Sequence, residues 1–230
     1  MAAALVTGST RGIGLEIATQ LAARGFSVFL SGRYEETISK AVNSLNKKSL
    51  EVTGVRMDVS DPAGIQKAFA VISGMVNRLD VLVNNAGILL DESKSILKLS
   101  RDDAVQTLNT NALGPLLVVQ TFLPLLNKGS RIINISSQAG AIGGGMSSYA
   151  PMYSISKTTL NAVTCQLAHA LRSRGITVNA VSPGWVRTSM GGMTAPRSVA
   201  RGAETPVWLA TDAPIHETGK FWHDKSVIPW

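Results

Sequence analysis

Short apolar runs rich in β-branched residues alternate with longer stretches in which apolar positions recur every three or four residues. The runs are Ala3-Ala4-Leu5-Val6, Ser27-Val28-Phe29-Leu30, Val52 to Val55, Val81-Leu82-Val83, Ile132-Ile133-Asn134-Ile135 and Thr177-Val178-Asn179-Ala180-Val181, each of strand length. The helical patterns fall at about 12–24, 34–48, 62–78, 100–126, 153–174 and 197–211. Strands that are apolar throughout must be covered on both faces, and a helix between each pair supplies a parallel crossover. The pattern therefore predicts one α/β domain over residues 1–230, a doubly wound parallel sheet with helices on both faces. There is no internal repeat or Pro/Ser linker; the irregular stretches 86–99, 138–150 and 183–196 all follow strand ends, where ligands of such sheets sit.

Composition supports that architecture and narrows the partners. With 45% hydrophobic and 16% charged side chains, 230 residues can bury a sufficient core without staples. The single cysteine, Cys165, excludes an intrachain disulfide framework and a cysteine-rich zinc site. It sits among apolar neighbours and reads as a packing residue. His169, His216 and His223 are dispersed, so no metal is expected. The N-terminus lacks a basic flank and a long apolar run, and no stretch reaches about 18 apolar residues, so a cytoplasmic protein without membrane attachment is expected. The net charge of +7 is lopsided: residues 1–115 carry 12 cationic against 11 acidic side chains, and residues 116–230 carry 10 against 4. The excess is scattered as singletons without aromatic interleaving, which predicts no nucleic acid but leaves room for a small anionic partner.

Directly after the first run stands Thr7-Gly8-Ser9-Thr10-Arg11-Gly12-Ile13-Gly14, placed where backbone N–H groups at the start of a helix approach a pyrophosphate. The order of strand, glycine loop and helix predicts dinucleotide binding on a Rossmann-type sheet. The spacing Gly-x-x-x-Gly-x-Gly resembles the classical short-chain dehydrogenase/reductase family. The second strand ends in Gly32-Arg33, where a carboxylate would bind a ribose 2′-OH and repel a 2′-phosphate. Arg33 and Arg11 are instead cations, and both charge and resemblance point to NADPH; two merely exposed arginines are the alternative. The resemblance further implies that Asp58-Val59 borders the adenine, and that Asn84-Asn85-Ala86-Gly87 pins the sheet and borders the ribose. By their chemistry alone, Asp58 could cap the helix after it and the asparagines could be turn formers.

Tyr153-Ser154-Ile155-Ser156-Lys157 sets a phenol and an ammonium one turn apart on one helix face. Lys157 is expected to lower the phenol pKa toward the range of proton transfer. The resemblance makes Tyr153 the acid/base and Lys157 its partner, matches the catalytic serine to Ser137 after Ile133-Asn134-Ile135, and leaves Ser136 structural. The 16-residue separation from Ser137 to Tyr153 exceeds that of many classical members and includes Gly143, Gly144 and Gly145. Asn111, in Asn109-Thr110-Asn111-Ala112-Leu113-Gly114, matches the family's Asn-x-x-Gly helix and would hold a water linking Lys157 to solvent, with Asn109 the competing residue. Pro183-Gly184-Trp185-Val186-Arg187-Thr188 resembles the loop beneath the nicotinamide, with Val186 and Thr188 orienting the carboxamide and Met190 to Pro196 forming a mobile lid, although packing alone accounts for the methionines equally well. Thr218-Gly219-Lys220-Phe221 looks like the family's last strand, making about seven strands in all. Within the family, NADPH-dependent carbonyl reductases are the nearest in pattern. The expectation is reversible reduction of a small aldehyde or ketone by a protein that could be a homo-oligomer. The alternatives are an NAD-dependent alcohol dehydrogenase working oxidatively and a non-catalytic nucleotide-binding signalling protein.

Overall fold

A computed structural model describes residues 1–143, 145–146 and 148–230. The first half runs β1 (Ala3–Val6), α1 (Gly12–Ala22), β2 (Ser27–Gly32), α2 (Glu35–Asn46), β3 (Val52–Arg56), α3 (Pro62–Ser73) and β4 (Leu79–Asn84). The second runs α4 (Arg101–Leu108), α5 (Gly114–Phe122), β5 (Leu126–Ile135), α6 (Pro151–Leu171), β6 (Thr177–Val181), α7 (Val199–Thr211), β7 (Phe221–His223) and β8 (Ser226–Ile228). All eight strands form one sheet in the order β3-β2-β1-β4-β5-β6-β7-β8, parallel except for β8.

The sheet separates two cores, as the apolar runs require. Leu5, Phe29 and Leu82 point to the face covered by α3, α5 and α6, where Ile65, Val118 and Phe122 are buried. Val6, Val28 and Val83 point to the opposite face, against Ile17 and Leu21 of α1 and Val207 and Ala210 of α7. The alternation along each strand is the two-residue period of the pleat, and both faces are dry. No helix among the described residues is long and apolar enough to cross a membrane.

Three boundaries differ from the pattern. The expected helix over about 100–126 is interrupted by a π-helical turn at Asn109–Leu113, and β5 begins at Leu126, six residues before its apolar run. The expected last strand begins only at Phe221, while Gly219 and Lys220 pair with β6 through Val178 and Ala180. An eighth strand follows after a turn through Asp224 and Lys225, both with positive φ (47° and 59°), the geometry that favours a tight hairpin.

Candidate active site

The turn between β1 and α1 is locked to the loop that leaves β4. Thr7 Oγ1 accepts the N–H groups of Asn85 and Ala86 at 3.0 and 3.1 Å, and Asn85 Nδ2 donates to the carbonyls of Thr7 and Gly8, both at 2.9 Å. A Cβ at Gly14 would lie 2.3 Å from that Nδ2, and one at Gly8 would lie 2.7 Å from the Ala86 Cα. The close packing explains two of the three glycines; the third, Gly12, has φ +59° and faces the Thr188 methyl. Ser9 is buried, its hydroxyl bridging Val6 O at 2.7 Å and Ser31 N at 3.0 Å, so that side chain joins β1 to β2. The Thr10 methyl packs over Gly32, and Ile13 packs against the core. No side chain caps α1 and no acid stands in its first turn, leaving the positive end of the helix to an anion. Arg11 and Arg33 are exposed beside it, with the Arg33 guanidinium 5.5 Å from the Tyr34 ring centroid.

Asp58 accepts from Ser60 N and Ser60 Oγ, and the cap of α3 is Asp61, which accepts from Ala63 N at 3.0 Å. Val59 is buried, and its carbonyl abuts Gly114. Asn84 pins the sheet from within by donating to Asn134 Oδ1 on β5 at 2.9 Å.

At the chemical end, β5 delivers Ser136 and Ser137 and α6 delivers Tyr153 and Lys157. Ser136 Oγ donates to Asn161 Oδ1 at 2.6 Å and is buried, whereas the Ser137 hydroxyl lies beside the Tyr153 phenol and pulls its pKa down. Lys157 Nζ donates to Ile135 O at 2.8 Å and stands 5.5 Å from the phenol ring centroid. Burial pushes the phenol up to about 12 against the opposing pull of Ser137, and burial brings Lys157 down to about 8. The expected lowering of the phenol is therefore not what the chain achieves by itself: both groups are buried, and desolvation outweighs the pull of Ser137.

Asn111, not Asn109, is the fully buried asparagine, and it lies in the π turn. Its amide grips Ile88 from both sides, accepting from Ile88 N at 2.8 Å and donating to Ile88 O at 2.9 Å, and it also donates to Ser156 Oγ. Gly87 passes between Asn111 Oδ1 and Lys157 Nζ; a Cβ there would come within 3.4 and 3.6 Å of them. The wider π turn is a common device for aiming a side chain inward at such a site.

Pro183 opens the third loop, and Gly184 takes φ +77° with the Arg197 side chain pressed against it. Val186 is buried and bridges to Arg197, while Thr188 Oγ1 accepts from Gly191 N at 3.0 Å. Arg197 is held by a two-pronged ion pair to Asp224 (2.7 and 2.6 Å), which keeps that carboxyl down at about 2. Met190 and Met193 are exposed on the stretch expected to be a lid, which is tied back by the Trp185 indole N–H to Gly191 O. Gly144, in the long segment before Tyr153, lies outside the described residues.

Two contributors went unrecognised in the sequence. One is Arg197, bracing the Pro-Gly loop. The other is Asp91, wholly buried, which caps α6 from 60 residues upstream of the Pro151 where that helix begins. The sequence held one clue to it: Ala150, at the N-cap of α6, has no side-chain acceptor.

The buried lysine makes stability depend on pH. Its pKa falls from 10.5 to about 8 on folding, so between those values the unfolded chain binds more protons and stability rises with pH. Above 10.5 the sign reverses, because Lys157 is then largely deprotonated in both states while Tyr153 holds its proton up to about 12 in the folded chain. Urea midpoints at about pH 7.5 and 9.5 should show a gain of about 1–2 kcal/mol in the wild type that Lys157→Met lacks. An equal gain in the variant would remove Lys157 as its cause.

Comparison with known proteins assigns the class. The short chain dehydrogenase family model matches residues 2–198, and the chain belongs to that family. It is 40% identical over 190 residues to the 3-oxoacyl-acyl-carrier-protein reductase FabG of Aquifex aeolicus, covering 81% of this chain and 74% of that one. It is 32% identical to carbonyl reductase (NADPH) 1 of Mus musculus, over 99% of this chain and 98% of the mouse protein. Its fold matches the NADPH-bound carbonyl reductase from chicken fatty liver with a TM-score of 0.90 and 30% identity, over 100% of this chain and 99% of that one. It also matches carbonyl reductase Sniffer of D. melanogaster with a TM-score of 0.91 and 29% identity, over the full length of both. The chain is thus an oxidoreductase of the short chain dehydrogenase family, close to carbonyl reductases.

Proposed function

We propose that this oxidoreductase reduces an aldehyde or ketone to an alcohol with NADPH, reversibly and without a metal, through Ser137, Tyr153, Lys157 and Asn111. The observation that carries the reading is the placement of Tyr153 and Lys157 one turn apart on α6, with the Lys157 ammonium 5.5 Å from the phenol ring centroid and Ser137 beside the phenol. The phenol is the proton donor in reduction and its phenolate the acceptor in the reverse reaction, so one side chain serves both directions. Ser137 holds the substrate oxygen while Tyr153 gives it the proton, and Lys157 supplies positive charge one turn away. Lys157 also holds the ribose, and Asn111 fixes the loop beside it and links it to solvent through a water. When bound, NADPH supplies the hydride.

The residues fit that cofactor. The uncapped start of α1 offers N–H donors to the pyrophosphate, with Gly8 to Gly14 shaping the approach. Arg11 and Arg33 take the 2′-phosphate, Asp58 and Val59 border the adenine, and Asn85 to Gly87 border the ribose. Pro183, Gly184, Val186 and Thr188 hold the nicotinamide. NADPH appears in the names of the mouse and chicken reductases, which match this chain along nearly its whole length, whereas the acyl-carrier-protein reductase matches 81% of it. That difference favours a small free carbonyl compound over a carrier-bound one. We read the chain as one cytoplasmic domain.

Purified protein mixed with NADPH and a panel of aromatic aldehydes and α-keto esters should consume the reduced cofactor, followed by its absorbance. Consumption no faster than a Tyr153→Phe control would leave only a binding protein. In Arg33→Ala, NADPH affinity should fall about tenfold while NADH affinity holds, the loss of one charge-assisted contact worth roughly 1.5–3 kcal/mol before screening. An undiminished preference for NADPH would show that Arg33 does not read the phosphate.

A further inference from the structure

We propose that Asp91 is a positioning residue for Tyr153: from the loop after β4 it supplies the cap that α6 lacks and fixes the turn that carries the phenol. This inference rests on the reductase reading above.

The first turn of α6 has backbone N–H groups and, among the described residues, no side-chain acceptor at its N-cap. Ala150 at the N-cap has no side-chain oxygen and Pro151 has no N–H, which leaves Met152 and Tyr153 as the exposed donors. Both point at Asp91. Met152 N donates to Oδ2 at 2.5 Å, and Tyr153 N lies 3.3 and 3.4 Å from Oδ1 and Oδ2. The carboxylate is wholly buried, faces the positive end of a 21-residue helix, and accepts through charge-assisted bonds.

A serine or aspartate at position 150 would satisfy the same donors locally. A cap from 60 residues upstream of Pro151 does something further: it ties the tyrosine's turn to a particular loop. That loop already touches the rest of the site. Asn85 holds the carbonyls of Thr7 and Gly8, Gly87 runs between Asn111 and Lys157, and Ile88 is gripped by Asn111. Beyond Asp91, Glu92 accepts from the Tyr149 hydroxyl and Ser93 N donates to Tyr149 O, clasping the chain just before α6. Ten residues, 85–94, thus gauge the distance between the glycine loop, the Lys157 ammonium and the Tyr153 phenol. Proton transfer is sensitive to such distances; about 1 Å of misplacement costs on the order of 10²-fold in rate.

The test compares wild type, Asp91→Ala and Asp91→Asn, which keeps one acceptor oxygen. Three quantities are read: amide hydrogen exchange in the peptide over 151–157, NADPH affinity, and kcat against KM. In Asp91→Ala, exchange should quicken in that first turn alone, NADPH affinity should stay within about twofold, and kcat should fall about tenfold or more. Asp91→Asn should recover most of both losses. Unchanged exchange in Asp91→Ala would overturn the clamp whatever the activity. Exchange quickened throughout the chain, or NADPH affinity lost in step with kcat, would mean collapse of the site and overturn the positioning role; the milder Asp91→Asn decides the matter if the alanine variant does not fold. A wild type inert toward every carbonyl, with exchange behaving as expected, would overturn the reductase reading and leave Asp91 as a helix cap only.

Discussion

Tyr153→Phe is expected to bind NADPH with nearly wild-type affinity and to turn over about 10²-fold to 10⁴-fold more slowly, the usual worth of a positioned acid. The substitution keeps the ring and its packing on α6 and deletes only the hydroxyl that meets Ser137. Affinity is read by fluorescence titration and turnover by loss of NADPH absorbance. The wild-type rate of reduction should hold through neutral pH and fall as pH rises through the phenol's apparent pKa, because reduction consumes the proton that the phenol carries. A Tyr153→Phe protein with wild-type turnover would move the acid elsewhere, with Ser137 the nearest hydroxyl.

Lys157→Ala should fail in two ways at once. Its ammonium is the nearest cation to the phenol, and its Nζ is the donor to Ile135 O at the end of β5. Removing it takes away the charge that favours proton release and return, and leaves a buried carbonyl without its donor. We expect kcat to drop by about 10²-fold or more and NADPH to bind at least several-fold more weakly, measured by the same titration. Normal NADPH affinity with lost turnover would confine Lys157 to the proton and remove its role at the ribose.

The alternating order of strands and helices was legible because strands buried on both faces leave unbroken apolar runs, as in Val81-Leu82-Val83. The start of β5 was not, because Asn127 and Lys128 are exposed strand residues that carry no apolar signal. The closing hairpin was missed for a related reason: β7 and β8 have three residues each, too few to show a period, and their turn uses Asp224-Lys225 in place of glycine or asparagine. In the site, helical spacing suggested the Tyr153–Lys157 pair, and the resemblance of the surrounding motifs singled it out. Ser137 meets Tyr153 only through the fold, and Asp91 looks like any loop acid beside Glu92 until its partners 61 and 62 residues away are in view. The phenol's raised pKa was beyond the sequence as well, since spacing conveys the neighbouring cation but not the dryness around both groups.

The widened turn at Asn109–Leu113 leaves the two halves of its helix in different reading frames. Buried Thr107, Asn111 and Pro115 are each four residues apart, where an unbroken helix would prefer 3.6 and would carry the third well round from the first. One surplus residue absorbs that drift and lets Asn111 face Ile88 while Val118 and Phe122 still face the core. The phasing of the segment is therefore set by its length, while its side-chain demands fall on Asn111 and the buried Ala112. Deleting a single residue such as Thr110 would restore a regular helix and force either the asparagine or the apolar stripe out of phase, whereas many substitutions at exposed Leu113 would leave the phasing intact. In comparing sequences of this kind, a gap placed across 109–113 marks a change of site geometry, even where every flanking residue is the same.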